Sequence, residues 1–208
     1  GTVYEGGVHG EAFFWKAGGF PAGKRSSAYL SNVDFAPTIL DLAGVEYDPA
    51  IFDGVSAYPV LMGTSPNPDR SLYFELGYVR GFLKDGWKYV ALRYPQNIAN
   101  MSISDRRAAL ETFNASQRRR DKPIYTEDPT TAFSHIQAIP GGGDAEHNSL
   151  SQYPSYYDAD QLYYLPEDPR EQENLASSQT EKLAEMKAEL KRHLEKLPGT
   201  FGELKTQE

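Results

Sequence analysis

Four side chains of this 208-residue chain have the chemistry and the setting to meet a polar or anionic ligand. Glu5 and His9 flank Gly6-Gly7, where backbone can approach a ligand closely. Glu5 orients a catalytic group or lines a pocket, or else its carboxylate organises the tight Gly6-Gly7 turn. His9 either touches substrate or sits half-buried at a strand edge; an imidazole exchanges protons near neutral pH. His135 and His147 lie in a stretch rich in Pro, Gly, Ser and Tyr, with Asp144 and Glu146 beside the second. These two are read as further substrate contacts or as plain surface loop. No second His stands at ligand spacing, so Asp144-Ala145-Glu146-His147 is not read as a metal site. Arg118, Arg119, Arg120 and Lys122 read as a contact for an anionic ligand or as a solvated helix end, where cations suit the dipole. Tyr153, Tyr156 and Tyr157 read as sugar-stacking rings or as loop packing. Asn100-Met101-Ser102 and Asn114-Ala115-Ser116 fit the glycosylation pattern by chance.

Bulk composition narrows the chemistry. There is no Cys, which removes thiolate nucleophiles, disulfides and Cys-based zinc sites. The net charge of −8 opposes a phosphate backbone, so no nucleic-acid partner is expected. No apolar run approaches about 18 residues, so no membrane span is expected.

The elements that must position these groups follow from periodicity. Residues 12–16 (Ala-Phe-Phe-Trp-Lys) read as a strand buried on both faces, at the edge of a large sheet. Residues 32–44 read as a helix capped by Asn32 or Asp34, begun near Pro37 and stopped by Gly44, with Phe35, Ile39 and Leu42 as its apolar face. A short helix is expected over 55–62. Residues 72–76, 80–84 and 87–93 read as an antiparallel meander, its second turn at Asp85-Gly86. Val90 and Leu92 should face one way, and Trp87, Tyr89 and Ala91 the other. A weak helix over 102–120 rests on Leu110 and Phe113, and a last strand over 161–165. A helix capped by Ser178 and Glu181 carries Leu183, Met186, Leu190, Leu194 and Leu197 until Pro198-Gly199.

Five segments, in order, resemble the sulfatase family of the alkaline-phosphatase-like superfamily. They are Thr2-Val3-Tyr4-Glu5-Gly6-Gly7-Val8, Ser31-Asn32-Val33-Asp34 through Leu42-Ala43-Gly44, and Asp53-Gly54-Val55-Ser56 with Leu61. Leu72-Tyr73-Phe74-Glu75 with Lys84-Asp85-Gly86-Trp87-Lys88-Tyr89 follows. The last is Leu162-Tyr163-Tyr164-Leu165 with Asp168-Pro169-Arg170-Glu171-Gln172-Glu173-Asn174-Leu175-Ala176. Any one is weak; five in order are specific. The likeness lapses from about 98 to 157, which reads as an insertion. It also departs after Val8, where the family carries Arg and Pro and this chain has His9, Gly10 and Glu11.

The resemblance implies an α/β fold: residues 1–65 as the C-terminal part of the catalytic domain, then residues 66–208 as an α+β subdomain. That subdomain would hold a small antiparallel sheet of about four strands under a C-terminal helix. It implies an arylsulfatase-like hydrolase of sulfuric esters, acting on a sulfated saccharide or aryl sulfate. The family uses a formylglycine made within C/S-x-P-x-R and a calcium ion that clamps the sulfate. Neither that motif nor the paired aspartates occur here, so the nucleophile, the calcium ligands and the missing N-terminal catalytic portion are expected upstream of Gly1, and this chain alone is expected to be inactive. No catalytic residue and no metal ligand is assigned within it. A periplasmic or secreted setting is implied by the family only. Two alternatives stand beside this: a phosphoester or phosphonate-ester hydrolase of the same superfamily, and a non-catalytic binding or structural module.

Overall fold

In the computed structural model, residues 2–66, 69–131 and 151–206 are described. They form two compact units, Gly1–His9 with Tyr73–Glu208, and Gly10–Leu72.

The larger unit is built on one sheet of strands β1 (Leu72–Leu76), β2 (Val79–Lys84), β3 (Trp87–Leu92) and β4 (Asp160–Tyr164), in the order β1-β2-β3-β4. β3 runs antiparallel to both neighbours. Asp85 and Gly86 both have positive φ (52° and 78°), so the two-residue turn matches the twist of the strands it joins. The small antiparallel sheet of about four strands is therefore present, with its C-terminal helix.

That helix, Thr180–Leu194, lays Met186, Leu190 and Leu194 on one sheet face, against Phe82, Tyr89, Ala91 and Leu162. The stripe is the one the i, i+4 spacing predicts. The expected capping box does not form: the residue before the helix is Gln179, and Ser178 Oγ instead donates to the Leu175 carbonyl. The opposite sheet face carries Val90 and Tyr163 and is covered by Val3, Tyr4, Tyr153 and Tyr156. Strand alternation thus sends Tyr89 and Ala91 to the helix and Lys88 and Val90 to the other side. Residues Ile103–Arg119 form a helix capped by Ser102, whose Oγ accepts from the Asp105 amide; Leu110 is buried and Phe113 partly so.

The smaller unit holds a helix at Phe35–Ala43 that ends on Gly44 (φ 66°), and a short one at Tyr58–Leu61. Asp34 does not cap this helix with its side chain; its carboxylate turns back to the Ser31 amide (2.7 Å). Oδ1 accepts from the Val55 amide (3.0 Å) and Oδ2 from Arg70 (2.6 Å). Thr38 Oγ1 accepts from the Ala57 amide at 2.8 Å. A Cβ on Gly54 would lie 2.2 Å from the Val33 carbonyl oxygen, so the two segments meet backbone to backbone. Two expectations fail in this unit. Residues 12–16 form no strand, and Phe13 and Trp15 are 88% and 76% exposed. The helix turns Pro37 and Thr38 inward, while Phe35 and Ile39 remain exposed. A strand needs a neighbour to bond its backbone, and the described residues offer this segment none.

Candidate functional site

Glu5–Val8 forms a single helical turn in which the Gly7 and Val8 amides both donate to the Tyr4 carbonyl. Gly7 is required by a backbone contact, and Gly6 is crowded by a side chain. A Cβ on Gly7 would lie 2.3 Å from the Thr2 carbonyl oxygen, and one on Gly6 would lie 2.8 Å from the Tyr153 hydroxyl. The Tyr4 ring stacks on Tyr153 at 3.8 Å, and its hydroxyl donates to Gln161 Oε1 at 2.6 Å. Tyr163 donates to the same oxygen at 3.0 Å. Burial pushes the Tyr4 hydroxyl's pKa far up, so Tyr4 is a neutral donor.

Beneath this turn lies a cluster of charges. Lys88 is fully buried, with Nζ 2.9 Å from Glu5 Oε1 and 3.0 Å from Glu171 Oε1. The second contact is an ion pair without hydrogen-bond alignment, since Glu171 Oε1 has no hydrogen-bond partner. Glu171 Oε2 accepts the Glu5 amide at 2.6 Å. Glu5 Oε2 lies 2.8 Å from His9 Nδ1. His9 is the exposed member, with 70% of its side chain in solvent. Burial raises the pKa of the Glu171 carboxyl, and Lys88 offsets part of that rise. The Phe74 ring lies 5.5 Å from the same ammonium.

Local structure explains how the chain reaches this arrangement. Asp168 Oδ2 accepts the Gln172 and Glu173 amides, closing the turn after β4. That turn holds Glu171 at φ 57°, an uncommon place for a residue with a Cβ, and points its carboxylate at Lys88. Asn174 then pins the end of the turn to β4. Its Oδ1 accepts the Leu162 and Ala176 amides, and its Nδ2 donates to Asp158 Oδ2 and the Asp160 carbonyl.

Of the four sequence candidates, Glu5 and His9 are brought together. His135 and His147 lie outside the described residues. Glu5 neither stands free in a pocket nor bonds the Gly6-Gly7 amides; it links Lys88 to His9. Lys88 and Glu171 were missed as members of the group. A signal was present: Lys88 stands between Trp87 and Tyr89 on the strand face of Val90, and a lysine on a covered face requires a counter-charge. Others among the residues singled out have contacts of their own. Tyr153 and Tyr156 pack in the core, Arg118 pairs with the exposed Glu127, and the buried Asn114 donates to the Thr126 carbonyl.

No group of three or more acidic, His or Cys side chains that could hold a metal occurs among the described residues. Where Glu5 and Glu171 converge, the Lys88 ammonium fills the place a cation would take, so these residues do not fit calcium. No described helix is long and apolar enough to cross a membrane.

The site is thus a glycine turn on a Glu–Lys–Glu cluster in which Lys88 and Glu171 are buried, covering one face of a small antiparallel sheet. Comparison with known proteins finds sulfatases among the chain's relatives. The chain is 37% identical to human arylsulfatase A over 161 residues, covering 73% of this chain and 31% of that protein. It is 53% identical over 47 residues to the N-acetylglucosamine-6-O-sulfatase of Bacteroides thetaiotaomicron, covering 23% and 8%. It is 38% identical over 73 residues to rat arylsulfatase G, covering 35% and 14%. A solved structure titled as a complex with its substrate D-glucosamine-2-N,6-O-disulfate superposes with a TM-score of 0.46 at 20% identity, covering 86% of this chain and 26% of that one. No family model matches. The chain's relatives are sulfatases, hydrolases of sulfate esters, and it spans less than a third of the human relative's length.

Proposed function

We propose that this chain forms the C-terminal part of a sulfuric ester hydrolase acting on a sulfated saccharide or an aryl sulfate. In this reading residues 1–65 complete the catalytic α/β domain, and residues 66–208 form its C-terminal subdomain with an insertion at about 98–157. The formylglycine nucleophile and calcium ligands are carried by an N-terminal catalytic portion. This chain contributes a wall of the pocket, with His9 at its rim. Periplasmic or secreted placement goes with this reading.

The observation that carries it is the convergence of three sulfatase-like segments. Glu5 of Tyr-Glu-Gly-Gly, Lys88 of Trp-Lys-Tyr and Glu171 of Asp-Pro-Arg-Glu meet in one cluster under the glycine turn. Side chains from such distant segments hold a turn this rigidly where its placement matters. The smaller unit adds support: Phe13, Trp15, Ile39, Ile51 and Val55 are all exposed, as befits a layer made to be covered by another. Because the named relatives are sulfatases, sulfate is favoured over phosphate or phosphonate esters.

The test is sulfate release from an aryl sulfate and a panel of sulfated saccharides with calcium present. The chain alone is compared with a longer polypeptide that carries C/S-x-P-x-R ahead of it. Turnover by the longer form only is the expected result. Turnover by the chain alone would place the chemistry within these residues and overturn the reading. Inactivity of both would favour a non-catalytic module.

A further inference from the structure

We propose that Lys88 and Glu171 are positioning residues that act through Glu5 to fix the His9 ring, with Nδ1 turned inward and Nε2 presented to solvent as the nitrogen available to a substrate oxygen. This rests on the reading above only in the identity of the substrate; the linkage itself is structural.

The linkage is made by the four oxygens of two carboxylates. Glu5 Oε1 is held by Lys88 at 2.9 Å, which leaves Oε2 for His9 Nδ1 at 2.8 Å. Glu171 holds Glu5 directly once and Lys88 once. Its Oε2 takes the Glu5 backbone amide, and its Oε1 faces the Lys88 ammonium. The charges therefore alternate from the interior outward: Glu171, Lys88, Glu5, His9. Lys88 is fully buried, so its position is set by packing rather than by solvent, and a fixed ammonium fixes the carboxylate it binds. His9, being 70% exposed, has the Glu5 contact as its described hydrogen bond. Oriented by a second group in this way, an imidazole has one defined tautomer when neutral, with the proton on Nδ1. The Gly7 and Val8 amides close on the Tyr4 carbonyl and so do not compete for Lys88 or Glu171.

The experiment is nitrogen-15 NMR of the imidazoles in the full chain at about pH 8.5, roughly two units above the ordinary His value, with His9 assigned by His9→Gln. The wild-type chain should show His9 with its proton mainly on Nδ1. In Lys88→Met that form should fall from majority to minority, since Glu5 is no longer held. A folded Lys88→Met chain that keeps the Nδ1–H form overturns the proposal. Because Lys88→Met leaves Glu171 buried without its cation, Lys88→Met/Glu171→Gln is measured in parallel and carries the same expectation. Should neither variant fold, the wild-type chain decides: a water-protected Lys88 ammonium signal coupled to the Glu5 carboxylate supports the linkage, and its absence sinks it. None of these readouts depends on sulfate turnover, so failure of the sulfatase reading and failure of this linkage are separate results.

Discussion

The ammonium of Lys88 lies 2.9 Å from Oε1 of Glu5, a residue 83 positions earlier in the chain, and no part of that lysine reaches solvent. A buried lysine remains charged only with partners, and it has one on each side. Removing it strands Glu171, which is also fully buried. Lys88→Met should therefore destabilise the larger unit by about 3–5 kcal/mol. Lys88→Met/Glu171→Gln should be less damaging than the sum of its single changes, with a coupling of about 1–3 kcal/mol in urea unfolding. Additive effects would mean that Lys88 and Glu171 do not act as one group.

Asn174 supplies the acceptor for two backbone amides, Leu162 and Ala176. Leu162 is fully buried on β4. Asn174→Ala leaves its amide without that partner and should cost about 1–3 kcal/mol. Faster hydrogen exchange confined to the β4 edge is the expected local signature.

The acid limb of stability should depend on Asp160. Burial raises its pKa, but hydrogen bonds from Lys187, Tyr89 and Arg93 outweigh burial and hold it below the usual carboxylate range. A depressed folded value means its stabilisation is present above about pH 4 and is lost as pH falls through the folded value. Glu203, also held low by Arg93, acts in the same direction. Asp160→Asn should be less stable than wild type at neutral pH, and the gap should close on acidification. A gap constant from neutral pH to about pH 2, below the usual carboxylate range, would contradict this.

Gly54 touches the Val33 backbone too closely for any side chain. Gly54→Ala should destabilise the smaller unit by about 1–3 kcal/mol. The Val55 and Ala57 amides, which donate to Asp34 and Thr38, should exchange faster. Unchanged exchange at both would show that the contact is not needed.

Phe13 and Trp15 present large rings to solvent. The isolated chain should self-associate at micromolar concentration, with Trp15 emitting at the long wavelength of a wet indole. Phe13→Ser/Trp15→Ser should lower the association measured by sedimentation. A wild-type chain that is monomeric and melts cooperatively would count against an interacting surface.

Where pattern alone sets local structure, the sequence was sufficient. Asp85-Gly86 between alternating runs determined the hairpin, because only that turn suits two positive φ angles. Leu183, Met186, Leu190 and Leu194 determined the buried face of the last helix by their spacing. The sequence also carried the sulfatase likeness, since its motifs are short and ordered. It misread residues 12–16 and the face of Phe35 and Ile39, because apolar content says that a side chain is to be covered but not by what. It marked Glu5 and His9 without their partners. Lys88 and Glu171 lie 83 and 166 positions from Glu5, and only the folding of β3 and the turn after β4 brings them beneath it. Charge pairing acts over a few ångströms of space, whatever the separation in sequence, so tertiary structure alone decided which carboxylates a buried lysine would meet.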